Sequence, residues 1–229
     1  MSSVPLAYFQ GQIVPLSEAK IGIMTHAFNY GTAAFEGIRG NWNEEEGQLC
    51  LFRVADHYER LRRSCRILMI DIPHSDAELF DITTKIAKSS GLKEDVYIRP
   101  LAYKSSEMLG VRLHDLDDDL IVFVTPFGPY LDMNNGVRCC TSSWRRVEDT
   151  AIPARAKVTG IYVNSALAKT EAQLDGYDEA ILLNEDGHVC EGSGENIFLV
   201  IDNKLVTPPE SANILVGITR DTVKVLAKA

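Results

Sequence analysis

The chain has 229 residues, 45% of them hydrophobic, with 23 lysines and arginines against 32 acids and a formal charge of −9. That length holds one or two domains at about 150 residues each and suffices for a buried core, and the composition excludes a collagen, a coiled coil and wholesale disorder. An acidic chain with no long basic tract is a poor partner for nucleic acid or an anionic membrane surface.

The longest apolar runs, such as Leu120 to Val124 and Ile197 to Ile201, are too short to cross a bilayer. Residues 1–20 show no basic start followed by an apolar run, so the expected compartment is cytoplasmic. Five scattered cysteines, Cys50, Cys65, Cys139, Cys140 and Cys190, form no C-x-x-C pair. Their number and spacing argue for reduced thiols, not for zinc or a disulfide framework.

In chain order, Val4 to Val14 reads as a hairpin around Gln10-Gly11, and residues 22–42 mix glycine, aromatic and small residues. Glu44-Glu45-Glu46-Gly47 reads as a solvated hairpin tip, and Gln48 to Phe52 as the returning strand. Tyr58, Leu61, Cys65 and Leu68 make one stripe of a helix from about Asp56 to Met69. Ser75 and Glu78 form a capping box for a helix with the stripe Leu79, Ile82 and Ile86, stopped by Gly91. Strands follow at Val96 to Lys104 and Leu120 to Thr125. Asp115, Asp117, Asp118 and Asp119 between them lack the glycine and alternation of a calcium loop and read as a solvated turn.

Pro126, Gly128, Pro129, Asn134, Asn135 and Gly136 suggest a linker. The expected organisation is a small domain over 1–127, a linker over 128–136 and a second domain over 137–229. The second half begins with a strand from Val137 to Trp144 and a helix from Tyr162 to Leu174. Strands at Glu179 to Leu183 and Asn196 to Ile201 are expected to flank the turn Glu185-Asp186-Gly187. A last helix opens at Gly217-Ile218-Thr219. Short hairpins with helices following strands indicate an α+β fold with mostly antiparallel sheets.

Four features carry chemistry. Lys157 lies in a loop of small and apolar residues just before a helix; desolvation there favours the neutral, nucleophilic amine, although most lysines are simply solvated. Glu191, with Glu195 nearby, sits among Gly192 and Gly194, which permit close backbone approach; a carboxylate there suits a cationic ring nitrogen, and an ordinary glycine-rich turn is the alternative. Gly217-Ile-Thr-Arg-Asp221 at a helix start is either an anion site or a plain Thr cap. Tyr97, Arg99, Leu101 and Tyr103 share one face of a strand, as a carboxylate-binding wall or a half-exposed sheet face. Arg60, Arg62, Arg63 and Arg66 give one helix a basic face, solvated for at least three of the four. A carbonyl for the amine, a ring nitrogen for the acid and a phosphate for the helix start are all present in pyridoxal 5'-phosphate.

The segments His26-Ala-Phe-Asn-Tyr-Gly31, Phe35-Glu-Gly-Ile-Arg39, His57-Tyr-Glu-Arg-Leu61, Tyr97-Ile-Arg-Pro100, Lys157-Val-Thr-Gly-Ile-Tyr162, Glu191-Gly-Ser-Gly-Glu-Asn196 and Gly217-Ile-Thr-Arg220 occur in one order along nearly the whole chain. Taken together they resemble the fold-type IV pyridoxal-phosphate enzymes, most closely the branched-chain amino acid aminotransferases. The resemblance implies a two-domain fold and a ping-pong transamination between leucine, isoleucine or valine and 2-oxoglutarate. It implies Lys157 as the Schiff-base lysine, Tyr162 facing the ring hydroxyl and Glu191 on the pyridine nitrogen. It also implies Arg60, Ile218 and Thr219 on the phosphate, and a substrate pocket of Tyr30, Phe35, Tyr97, Arg99, Phe127 and Tyr130. Tyr30 is a candidate contribution from a partner subunit, in a homodimer or larger homo-oligomer. Where the family usually has tryptophan, this chain has Phe127, which alters pocket volume. The family chain also continues past the position of Ala229 into a Gly/Thr-rich loop, so the second domain is expected to be incomplete. A D-amino acid aminotransferase, an aminodeoxychorismate lyase of the same fold, and a truncated non-catalytic cofactor-binding remnant are the other readings.

Overall fold

The computed structural model describes residues 5–128, 131–132 and 134–229. The chain divides into two compact units, Met1–Gly128 with Val158–Gly160, and Pro129–Lys157 with Ile161–Ala229.

In the first unit the chain forms β1 (Leu6–Phe9), β2 (Gln12–Pro15), α1 (His26–Tyr30), β3 (Ala33–Phe35), β4 (Ile38–Asn43) and β5 (Gln48–Leu51). It continues through α2 (Val54–Ile67), α3 (Asp76–Ser90), β6 (Val96–Lys104) and β7 (Asp118–Pro126). These strands build a seven-stranded sheet in the order β2-β1-β7-β6-β4-β5, with β3 also pairing β6. The capping box at Ser75 is formed: Ser75 Oγ accepts from Glu78 N at 3.3 Å, and Ser75 N donates to Glu78 Oε2 at 2.7 Å. Gly91 ends α3 at φ +64, a conformation that costs other residues a Cβ clash. The helix stripes expected from the sequence pack on the sheet, with Tyr58, Leu61, Cys65, Leu79 and Ile86 buried against Ile38, Val96, Ile98 and Val122. Each leucine, isoleucine or valine among them contributes about 1.5–3 kcal/mol when fully removed from water.

Pro100 stands in the middle of the central strand, where a missing N–H would normally break a ladder. One neighbour of β6 changes there: Phe35 faces Leu101, Ile38 faces Ile98, and Glu36-Gly37 interrupts the ladder between them. Pro100 O accepts from Glu36 N at 2.8 Å. The ladder is thus interrupted opposite the proline, and the interruption places Glu36 in the unit's interior, where it is fully buried.

The aspartate-rich stretch departs in part from the expected solvated turn: Asp115 and Asp117 are exposed, but Asp118 and Asp119 are half-buried strand residues. Asp118 opens β7 and pairs with the buried Lys104 ammonium at 2.9 Å, which also donates to Met69 O at 2.6 Å. Asp119 accepts from Tyr103 OH at 3.1 Å. A strand that begins inside an acidic run turns those acids toward its neighbours, which local composition does not reveal.

The second unit contains β8 (Cys139–Arg145), α4 (Tyr162–Leu174), β9 (Glu179–Leu183), β10 (Val189–Gly192), β11 (Leu199–Ile201), β12 (Lys204–Val206) and α5 (Ile218–Leu226). A three-stranded sheet runs β10-β9-β8, with β9 antiparallel to β10 and parallel to β8. Ala168 and Ala172 of α4 pack on Ala180 and Leu182. The expected strand Asn196 to Ile201 does not return across the Glu185-Asp186-Gly187 turn. Val189–Gly192 does so, and residues 199–201 form a separate hairpin with β12. Glu191 is thus a strand residue beside a register shift, not part of a glycine-rich turn.

Candidate active site

Lys157 and Tyr162 lie five residues apart, across a single 3-10 turn that leads into α4. The turn brings them together: Lys157 Nζ donates to Tyr162 OH at 2.6 Å. Residues 158–160 belong to the first unit, where Val158 bridges Ala34 and Thr159 Oγ1 donates to Gly31 O at 2.8 Å. Gly160 N donates to the same carbonyl at 3.1 Å. A Cβ on Gly31, which stands at φ +67, would lie 2.8 Å from Gly160 Cα, so a glycine is required at that position where these backbones meet.

Glu191 is 6% exposed. Its Oε1 pairs with Arg146 at 2.9 Å, and its Oε2 accepts from Asn196 Nδ2 at 3.0 Å and Leu215 N at 3.1 Å. Burial pushes the carboxyl up to about 7, against the opposing pull of Arg146, the Leu215 N–H and the Lys157 charge. Asn196 Nδ2 also donates to Leu215 O at 2.8 Å, which ties Glu191 to the strap entering α5. That helix starts at Gly217, with no side chain capping it, and a Cβ on Gly217 would run into Asn196 Oδ1. Ile218 is buried and Thr219 exposed at its first turn. Thr219 lies inside the helix and is not its cap.

In the first unit, Arg99 lies between two rings, its guanidinium carbon 4.2 Å from the Phe35 ring centroid and 4.9 Å from that of Tyr97. Tyr97 continues the stack to Phe127 at 5.1 Å, and Arg39 covers Phe127 at 4.9 Å. Gly37 makes room for this wall, since a Cβ there would come within 2.6 Å of Tyr97 Cε2. Arg99 Nε is buried without a hydrogen-bond partner among the described residues, a donor that an anionic ligand would satisfy. Tyr103, which the period-two reading put on the same wall, is buried against Asp119 instead, and that burial raises its phenol. Tyr30 stands apart from the stack; its OH accepts from Gly110 N at 3.0 Å and its ring lies 4.7 Å from His26. Arg60 is buried, with Nε and Nη2 each 2.7 Å from a Glu36 oxygen. Tyr130 lies outside the described residues.

Sequence reasoning missed Arg146, Glu36 and His57 as parts of these clusters. Glu36 and His57 stood inside the quoted segments, but their meeting with Arg60 joins residues up to 24 apart and leaves no local signal. Arg146, at the end of β8, carried none.

The model of the amino-transferase class IV family matches residues 33–229. The chain belongs to the class IV aminotransferases. A probable branched-chain-amino-acid aminotransferase of Aquifex aeolicus is 52% identical over 226 residues, covering 99% of this chain and 73% of the relative. The crystal structure of the branched-chain aminotransferase from Thermoproteus uzoniensis with norvaline superposes with a TM-score of 0.93 at 45% identity, over 97% of this chain and 74% of that one. The Thermobaculum terrenum enzyme in its PLP form gives 0.91 at 34% identity, over 100% and 74%. The fold-type IV architecture expected from the sequence is therefore shown. Among the described residues no helix is long and apolar enough to cross a membrane.

Proposed function

We propose that this chain is a branched-chain aminotransferase that moves an amino group between leucine, isoleucine or valine and 2-oxoglutarate in a ping-pong cycle, with pyridoxal 5'-phosphate as cofactor. The observation that carries the reading is the 52% identity to the Aquifex aeolicus relative across nearly the whole chain. The donor set fits the cofactor: an amine held by a phenol, and a buried acid that burial pushes up to about 7 in spite of Arg146. A protonated ring nitrogen is the partner that would return Glu191 to its ionised form.

When bound, the cofactor supplies the aldehyde that takes up the amine and the ring that accepts an electron pair. Lys157 would hold the cofactor through its aldehyde, where the incoming substrate amine can take its place. Its freed amine then takes the α-proton and returns it, as base and then acid. Tyr162, through its 2.6 Å contact with Nζ, keeps that amine aimed. Glu191 would keep a proton on the ring nitrogen, and Arg60, Ile218 and Thr219 are the candidate phosphate contacts. Phe35, Tyr97 and Phe127 offer apolar surface to a branched chain, while Arg99 takes the second carboxylate of glutamate. Tyr30, from a partner subunit of a homo-oligomer, completes the pocket, and the enzyme works in the cytoplasm.

Lys157→Ala should abolish transamination of L-leucine with 2-oxoglutarate, and borohydride should label Lys157 in the wild-type chain given cofactor. A label on another lysine, or retained turnover in the variant, overturns the assignment. Parallel assays with D-alanine and aminodeoxychorismate separate it from its relatives of the same fold.

A further inference from the structure

We propose that Glu36 and His57 are positioning residues for cofactor binding: they lock the Arg60 guanidinium in one plane, so that it meets the phosphate already oriented. This deepens the reading above and rests on Arg60 being a phosphate contact.

The cluster is closed on the Glu36 side. Glu36 is 0% exposed, and its own N–H is tied to Pro100 O on the central strand. Its Oε1 accepts from Arg60 Nε at 2.7 Å, and its Oε2 accepts from Arg60 Nη2 at 2.7 Å. His57 Nδ1 lies 2.7 Å from the same Oε2. Burial alone would raise this carboxyl, yet the hydrogen bonds and charges of Arg60 and His57 hold it at about 2. Glu36 is therefore an ionised, acceptor-only group, and the Nδ1 that faces it must carry the ring proton. His57 and Arg60 are three residues apart on α2, so both reach the carboxylate from one helix face.

This arrangement is a poor stabiliser but a good orienting device. A buried ion pair gains little over well-packed apolar residues, because both charges must be stripped of water. Tyr58 and Leu61, on the same helix, are already packed in the core. A two-bonded fork fixes a long side chain with many rotamers, and His57 prevents the carboxylate from swinging away with it. A donor fixed before its anion arrives loses no conformational freedom on binding.

Pyridoxal, which lacks the phosphate, separates orientation from general structure. The affinities of the chain for pyridoxal phosphate and for pyridoxal are measured by absorbance titration in the wild type, Glu36→Gln, His57→Gln and Arg60→Met. Glu36→Gln should weaken pyridoxal phosphate by roughly tenfold and pyridoxal by less than about twofold, the loss of one well-aligned charged contact. His57→Gln leaves the fork intact and should give a smaller loss of about threefold in the same direction, and it decides the question if Glu36→Gln does not fold. Equal losses for both compounds, or none, overturn the proposal. Arg60→Met that keeps its preference for the phosphorylated form removes the Arg60 reading itself. A preference lost there but kept in both Glu36→Gln and His57→Gln removes only the positioning role.

Discussion

Glu36 and Glu191 are both buried carboxylates beside an arginine, one in each unit, and their acidities move in opposite directions. Burial raises both, but Glu36 ends at about 2 and Glu191 at about 7. The difference lies in the donors. Glu36 receives both arms of the Arg60 fork and an imidazole N–H. Glu191 receives one arm of Arg146 and two neutral N–H groups. The first acid is supplied with positive charge by its own chain, and the second is left short of it, as a carboxylate waiting for a cationic ring would be.

Exchanging each acid for its amide should break the comparison most sharply. Glu36→Gln removes one partner from a buried pair and should cost about 3–5 kcal/mol in urea unfolding. Glu191→Gln should leave the fold at pH 7 at least as stable as that of the wild type, by up to about 3 kcal/mol, because the amide is spared the charge that burial disfavours there. It should instead lower kcat by about 10²–10³-fold, the usual loss when a charge-stabilising group is removed from a reacting centre. A large stability loss in Glu191→Gln with normal turnover would reverse the roles.

The pH dependence of stability without cofactor should then show opposite slopes. Glu36 has a folded value below its ordinary 4.5, so its contribution is present above pH 4.5 and is lost as pH falls toward 2. That contribution is roughly 3 kcal/mol. Glu191 has a folded value above 4.5, so its contribution is fully present below pH 4.5 and is lost as pH rises through about 7. Urea midpoints from pH 3 to 9 should fall at the acid end in the wild type but not from this source in Glu36→Gln. The decline approaching neutral pH should flatten in Glu191→Gln. Unchanged slopes in both variants would place the titrations elsewhere.

The smallest expected effect sharpens the donor argument. Asn196→Ala removes one neutral donor from Glu191 and should raise that carboxyl further while costing about 1 kcal/mol in stability. Titration of isotope-labelled glutamate would detect it, and a fall in the Glu191 value would contradict the account.

Much of this was legible in residue order. The Ser75-Glu78 box, the stop at Gly91 and the helix stripe of Tyr58, Leu61 and Cys65 follow from contacts within a few residues, and each formed. Lys157 stood out by its place in a loop of small and apolar residues before a helix, whereas Tyr162 was joined to the site only by the family resemblance, and the meeting of the two side chains across one turn is a finding of the structure. The pairing of β10 with β9 was not legible, because residues 189–192 and 196–201 are both strand-like and local propensity cannot choose between them. Asp118 was misread because its partner, Lys104, sits on a neighbouring strand.

Residue order alone yielded most helices and strands, which depend on periodicity and caps along the chain, and the seven motif segments carried the family resemblance. Only the tertiary structure decided which acid is sealed with its cations and which is left wanting one. Ionisation in a buried place depends on the number and direction of donors that arrive from distant residues, and Arg60 for Glu36 and Arg146 for Glu191 are brought there by folding alone.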